Sequence, residues 1–182
     1  MTAESDWSPW KDPERMNIFP RDPFQDFDIS YFVADMNSFK ENDDWLARQF
    51  DDCCNEFWNV STYVVKGLAR NEILFAIDHL NGIARPNLLR MMTWQIGSER
   101  GYTFSVGKNY KFINHYLPKK DWEALLSTFA QHGCQEMWQS LFTCYELFRK
   151  YAKTVAGNLE YVYPDYDEAV TRYTASIYSS LK

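Results

Sequence analysis

Glycine is sparse in this 182-residue chain, seven in all, and the one Gly-Lys pair, Gly107-Lys108, is followed by Asn109 rather than Ser or Thr. That excludes a Walker-type phosphate loop. Basic segments are also missing: 19 Lys and Arg stand against 25 Asp and Glu, for a net charge of −6. Such a balance is ill suited to nucleic-acid binding, which draws most of its affinity from phosphate neutralisation. Cysteine is limited to Cys53, Cys54, Cys134 and Cys144, and the adjacent pair does not follow a zinc-ligand spacing. Reduced, partly buried thiols in a cytoplasmic protein are expected. No apolar run approaches the roughly 18 residues of a membrane span, and no signal-peptide pattern is read. Strand-forming runs are nearly absent as well. Ile29-Ser30-Tyr31-Phe32-Val33 is the one good candidate, and a single strand has no partner.

What the chain has is bulk for a core. Apolar residues make up 46% and aromatics 18%, with 12 Tyr, 13 Phe and 7 Trp. Large rings bury much area each and equally suit a pocket wall. Pro9, Pro13, Pro20 and Pro23 break up the first 23 residues. From about Asn42 the pattern turns helical. Phe50, Cys53, Phe57, Val60 and Val64 recur at intervals of three and four, the mark of a helix with one buried face. A second helix is expected after Asn71, with Ile73, Leu74, Ile77 and Leu80 inward and an end at Gly82 and Pro86. Leu88, Leu89, Met92 and Ile96 predict a third. Pro118 starts a fourth through Trp122, Leu125, Leu126 and Phe129. The longest is expected from about Gln135 to Leu159, and Pro164 and Asp165 open the last, with Val170, Tyr173 and Ile177 inward. The fold class read from this is mainly α, a helical bundle over residues 47–182.

Three constellations could carry chemistry. Asp26 and Asp28 lie two apart on an extended chain and so face the same way; paired carboxylates of this kind hold Mg²⁺ for nucleotidyl transfer, and are also common turn chemistry. On the first long helix Asp52, Glu56, Asn59, Tyr63 and Lys66 form one polar line about 100° from the buried stripe. That line could face a cleft and bind an amino sugar, with Lys66 reaching a phosphate, or be a solvated helix face. Asp78, beside His79, is a candidate general base or a surface residue. The third is the loop Ser105-Val106-Gly107-Lys108-Asn109-Tyr110-Lys111, where Gly107 would let the backbone approach a ligand and Lys108 and Lys111 could grip a triphosphate.

These same pieces carry a resemblance. Phe24-Gln25-Asp26-Phe27-Asp28-Ile29 through Val33, Phe50-Asp51-Asp52-Cys53-Cys54-Asn55-Glu56-Phe57-Trp58, Tyr63-Val64-Val65-Lys66, Glu72 through Leu80, Ser105 through Phe112, and Tyr163-Pro164-Asp165-Tyr166-Asp167 occur in the order found in the aminoglycoside 6-adenylyltransferase (streptomycin adenylyltransferase) family, Bacillus type. The resemblance covers roughly residues 24–182. It implies an α+β fold: a polymerase-β-like nucleotidyltransferase sheet, here a remnant over 1–46, followed by the helical C-terminal domain over 47–182. It implies transfer of AMP from Mg·ATP to the 6-hydroxyl of streptomycin, and so antibiotic resistance. By position Asp26 and Asp28 would be metal ligands, with Asp78 as base. Glu56, Asn59 and Tyr63 would stand near the aminoglycoside, and Lys66, Lys108 and Lys111 near the nucleotide. Two departures matter. The family's Gly-Ser pair before the Asp-x-Asp is replaced by Asp12-Pro13-Glu14-Arg15, and after Trp45-Leu46 the chain passes directly to Ala47-Arg48, without the rest of the sheet and its third carboxylate. Weakened transfer is therefore expected. A helical domain that binds ligand without catalysis is the alternative, and a homodimer formed by edge pairing of Ile29–Val33 is a further expectation.

Overall fold

A computed structural model describes residues 43–181, apart from 102 and 130–132. Asp26, Asp28, the strand Ile29–Val33 and the dimer contact expected of it lie outside the described residues. Among the described residues all regular structure is helical: α1 (Asp43–Ala69), α2 (Ile73–His79), a π-turn (Leu80–Ala84), α3 (Arg85–Arg100), 3-10 turns at Lys108–Tyr110 and Ile113–His115, α4 (Lys119–Ser127), α5 (Cys134–Leu159) and α6 (Tyr166–Ser180). The join expected between residues 46 and 47 falls within the first turns of α1.

The stripe that predicts α1 is its buried face: Phe50, Cys53, Phe57, Val60 and Val64 are all in the core. The helix closes on Asn71, whose φ of 58° is left-handed. There the Asn71 N–H donates to the Leu68 carbonyl (3.1 Å) and the Glu72 N–H to the Gly67 carbonyl (2.8 Å), a Schellman end that reverses the chain into α2. Gly67 permits the tight return, since a Cβ there would lie 3.0 Å from Phe75 Cδ1 and 3.1 Å from Ala76 Cβ.

The break expected at Gly82 and Pro86 is not a break. The backbone stays right-handed helical at His79, Leu80, Ala84 and Arg85, so α2, the π-turn and α3 form one continuous path. Pro86 has no N–H to give to the Gly82 carbonyl, which would end an ordinary α-helix. The ladder widens one step earlier instead, with the Arg85 N–H donating to the Leu80 carbonyl, and the helix survives as a π-bulge. Facing also differs in places. Leu74 is 82% exposed and Ala76 is buried in its stead, while Leu80 is inward as expected. Leu126, Phe129 and Tyr173 are exposed too, whereas Thr174 is buried and meets the Tyr145 hydroxyl at 3.0 Å.

α5 runs through the middle of the bundle, packing chiefly on α3 and also on α1 and α4. Its ring-bearing face meets that of α1. Phe57 stacks on Phe148 at 3.8 Å between centroids, and Trp58 and Tyr145 approach at 4.8 Å. Burial pushes the Cys53 thiol up to about 12 and the Cys144 thiol to about 11, and all four cysteines are free, so the thiols are packing groups. No helix among the described residues is long and apolar enough to cross a membrane.

Several polar groups buried in the bundle are paired where helices cross, whereas Trp58 Nε1, Ser140 Oγ and the Tyr166 hydroxyl have no hydrogen-bond partner among the described residues. Arg149 on α5 grips Asp167 on α6 with both prongs (Nε–Oδ2 2.7 Å, Nη2–Oδ1 2.5 Å), and the Tyr163 and Thr171 hydroxyls donate to the same carboxylate. Burial alone would raise the Asp167 carboxyl; the Arg149 and Tyr163 contacts outweigh it and hold the group below its ordinary value. A carboxylate held low in this way contributes stability that is complete above its unfolded pKa and disappears as the pH falls through its folded value. Asp167→Asn is expected to cost about 3 kcal/mol at pH 7, with the gap from the wild type closing below about pH 4. Urea midpoints measured from pH 7 to pH 3 check this, and a gap that does not change with pH contradicts it.

Candidate functional site

Because the core claims one side of α1, the opposite polar line is turned outward. Asp52, Asn55, Glu56, Asn59, Tyr63 and Lys66 are all exposed. They do not share one environment. Gln49, Asp52, Asn55 and Glu56 form one wall of a cavity of about 410 Å³ whose other wall is Gly82, Ile83, Pro86, Asn87 and Arg90. It is an open groove with a mostly polar lining. The second wall is the π-turn and the first turns of α3, so the bulge forced by Pro86 shapes the groove.

Individual groups are held firmly. Asn87 is buried; its Nδ2 donates to the Ile83 carbonyl (3.0 Å), and its Oδ1 accepts from Arg90 Nη1 at 3.5 Å. On the facing wall Asp52 has a 4.0 Å contact with Arg48 one turn back, with both side chains mostly in solvent. Such a pair is weak and easily exchanged for a ligand cation. Two carboxylates, several amides and one guanidinium suit a polar ligand carrying positive charge.

One turn further along, Tyr63 and Lys66 meet α2. The Lys66 ammonium sits 4.8 Å above the Tyr63 ring, and the His79 ring lies parallel to that ring at 5.6 Å. His79 is fixed by a 2.9 Å Nδ1 contact to the Phe75 carbonyl. Asp78 is exposed beside it and does not line the groove. Asn59 lies in the chain between the two groups, exposed and lining neither.

The loop from Ser105 to Lys111 is tightly specified. Gly107 adopts φ +70°, and Asn109 and Tyr110 follow with φ 54° and 61°. The Gly107 N–H donates to Ser105 Oγ (3.1 Å), and the Phe112 N–H returns to the Val106 carbonyl (2.8 Å). Lys108 and Lys111 are exposed on this turn, with the Lys111 ammonium 5.0 Å over the Phe112 ring. Tyr110 packs on the core. Burial raises its phenol, and the Arg90 guanidinium acts in the opposite direction.

Of the residues expected at the site, Glu56 lines the groove, Tyr63 and Lys66 cluster next to Asp78's neighbour His79, and Lys108 and Lys111 flank Tyr110. Gln49, Asn55, Asn87 and Arg90 were missed. The partners across the groove are more than 25 residues away in sequence, and no period in either helix links them. Asp26 and Asp28 lie outside the described residues, and among those described no group of three or more His, Cys, Asp or Glu could hold a metal ion.

Among the described residues the geometry defines an all-helical module with a polar, net acidic groove between a long helix and a π-bulge. Comparison with known proteins is specific. The model of the streptomycin adenylyltransferase family matches residues 15–48 and 46–177, and the chain belongs to that family. It is 47% identical over 249 residues to an aminoglycoside 6-adenylyltransferase of Bacillus subtilis (strain 168), spanning 90% of this chain and 88% of that protein. It is 37% identical over 238 residues to one from Campylobacter jejuni (85% and 83%). A Staphylococcus aureus relative is 51% identical over 140 residues, covering 75% of this chain and 50% of its own length. A crystal structure of an aminoglycoside 6-adenyltransferase from Bacillus subtilis aligns with a TM-score of 0.68 and 71% identity over 72% of this chain, which spans 50% of that protein. An alignment of 249 residues is longer than the 182 present here, so part of the first relative falls opposite a gap in this chain.

The loop generates a prediction. At Gly107 a Cβ would lie 2.7 Å from Phe112 Cδ2 and 2.8 Å from Lys111 Cγ, on a left-handed backbone. Gly107→Ala is expected to lower stability by about 1–2 kcal/mol, read as a fall in the thermal midpoint. An unchanged midpoint would show that the turn is not held as described.

Proposed function

We propose that this chain binds a streptomycin-type aminoglycoside in the groove between α1 and the π-turn, and that it transfers AMP weakly or not at all by itself. The observation that carries the reading is the groove: Asp52 and Glu56 face outward on α1 within a polar cavity, in a member of a family defined by streptomycin adenylylation. Carboxylates beside amide donors and acceptors suit the ammonium, guanidinium and hydroxyl groups of an amino sugar. In this reading the described helices are the family's helical C-terminal domain, and residues 1–46 a truncated remnant of its nucleotidyltransferase domain.

In the reaction of the family as implied by resemblance, the 6-hydroxyl oxygen attacks the α-phosphorus of ATP. The bond to pyrophosphate breaks, pyrophosphate leaves, and the hydroxyl proton passes to a carboxylate. Asp78, exposed at the end of α2, is our candidate for that base, and Lys66, Lys108 and Lys111 for contacts to the phosphates. Mg²⁺ would fall to Asp26 and Asp28. The family match falls in two stretches that meet around residues 46–48, and the alignment to the first relative is longer than this chain; both support the reading of impaired transfer.

Incubation with Mg·ATP and streptomycin, read by mass spectrometry, is expected to give little or no AMP-streptomycin. Calorimetry is expected to show streptomycin binding that weakens about fivefold in Glu56→Gln. Rapid product formation that vanishes in Asp26→Asn contradicts the impairment, and absence of streptomycin binding contradicts the assignment of the groove.

A further inference from the structure

Arg90 stands apart from the other charges of the groove. It lines the same cavity as Asp52 and Glu56, yet among the described residues it makes no ion pair with either. Here it is turned instead onto the amide of Asn87, at 3.5 Å. That amide is buried and pinned by its own bond to the Ile83 carbonyl in the π-turn. The contact places the cation on the wall opposite the carboxylates, with the cavity between them. Opposite charges held across a solvent-filled gap leave both available to a ligand, and such a groove favours one that carries a cation at one end and an anion at the other.

The carboxylate side lies with Asp52 and Glu56 on α1, and Arg90 stands on the facing wall with Pro86 and Asn87.

We propose that Arg90 is a phosphate-binding residue of the groove, holding phosphoryl oxygens of a nucleotide at the end away from Asp52 and Glu56. The guanidinium fork matches two phosphoryl oxygens at once, which an ammonium cannot do. The proposal rests on the reading of the groove as the aminoglycoside site and adds to it that the two co-substrates meet there, the sugar cation on the carboxylates and the phosphate on Arg90.

Calorimetry on the full chain tests this with three probes: ATP, sodium tripolyphosphate and streptomycin. Arg90→Ala is expected to weaken ATP and tripolyphosphate about tenfold while leaving streptomycin within about twofold. Arg90→Lys is expected to recover part of the loss, since it restores charge without the fork. Unchanged ATP affinity in Arg90→Ala overturns the proposal. So does a wild type that binds streptomycin but neither phosphate probe, or an equal loss for all three probes with a lowered thermal midpoint, which would mark Arg90 as structural. Failure of the groove assignment looks different: phosphate binding that depends on Arg90 with no streptomycin binding at all would remove the sugar and keep the phosphate site.

Discussion

The rotation of α1 about its own axis is the constraint on which the rest depends. It is fixed by rings. Phe57 lies flat against Phe148 with an interplanar angle of 2°, Trp58 meets Phe57 edge-on at 5.1 Å, and Tyr145 closes the other side of Trp58. Rings of this size fill the space between α1 and α5 at near-crystalline density, so a turn of α1 by even one position would force voids and clashes together. With Phe57 and Trp58 inward, Asn55 and Glu56 are carried outward by the helical repeat, and Asp52 joins them one turn earlier. The groove is in this sense a by-product of the core: its acidic wall is the surface left when α1 has buried its aromatic side.

The polar contacts inside the bundle add specification rather than bulk. Asp167 is gripped by Arg149, which also lies 5.5 Å from the Trp58 ring, so the docking of α6 is tied to the same aromatic centre. Asp121 on α4 is met by Lys150 (2.5 Å) and the Tyr151 hydroxyl (2.7 Å) on α5. Arg85, buried at the start of α3, reaches the Thr128 carbonyl at 2.8 Å and also the Thr128 hydroxyl, and covers the Phe129 ring at 3.8 Å. Burial lowers its pKa, yet a guanidinium stays charged under these conditions, and carbonyl, hydroxyl and ring together offset its desolvation. The networks tie segments 18 to 43 residues apart, and each would be left with an uncompensated buried group by a shift in register.

Much of this was legible in the sequence because it is periodic. The inward residues of α1 and the extent of α5 follow from spacing alone, and Pro118 and Pro164 mark helix starts where the helices begin one or two residues later. The errors are local and have causes. Gly82 and Pro86 are ordinary stop signals, and their effect here depends on a π-turn that only the packed path reveals. Leu74 and Tyr173 are apolar by type but sit on the wrong side of short or terminal helices, where Ala76 and Thr174 take the buried places. Asn87 and Arg90 could not be found by pattern at all. They line the groove only through the meeting of α1 with the bulge, and a period in one helix carries no information about a neighbour.

A π-bulge that turns a buried amide and an exposed guanidinium toward a carboxylate-bearing helix gives this family member a groove built within the helices alone. The most direct test is a titration of the isotope-labelled chain with streptomycin, followed through its backbone amide resonances. Shifts concentrated at Asp52, Asn55, Glu56, Gly82 and Ile83 are predicted, with little change along α6. Shifts that spare these residues and gather elsewhere would contradict the account.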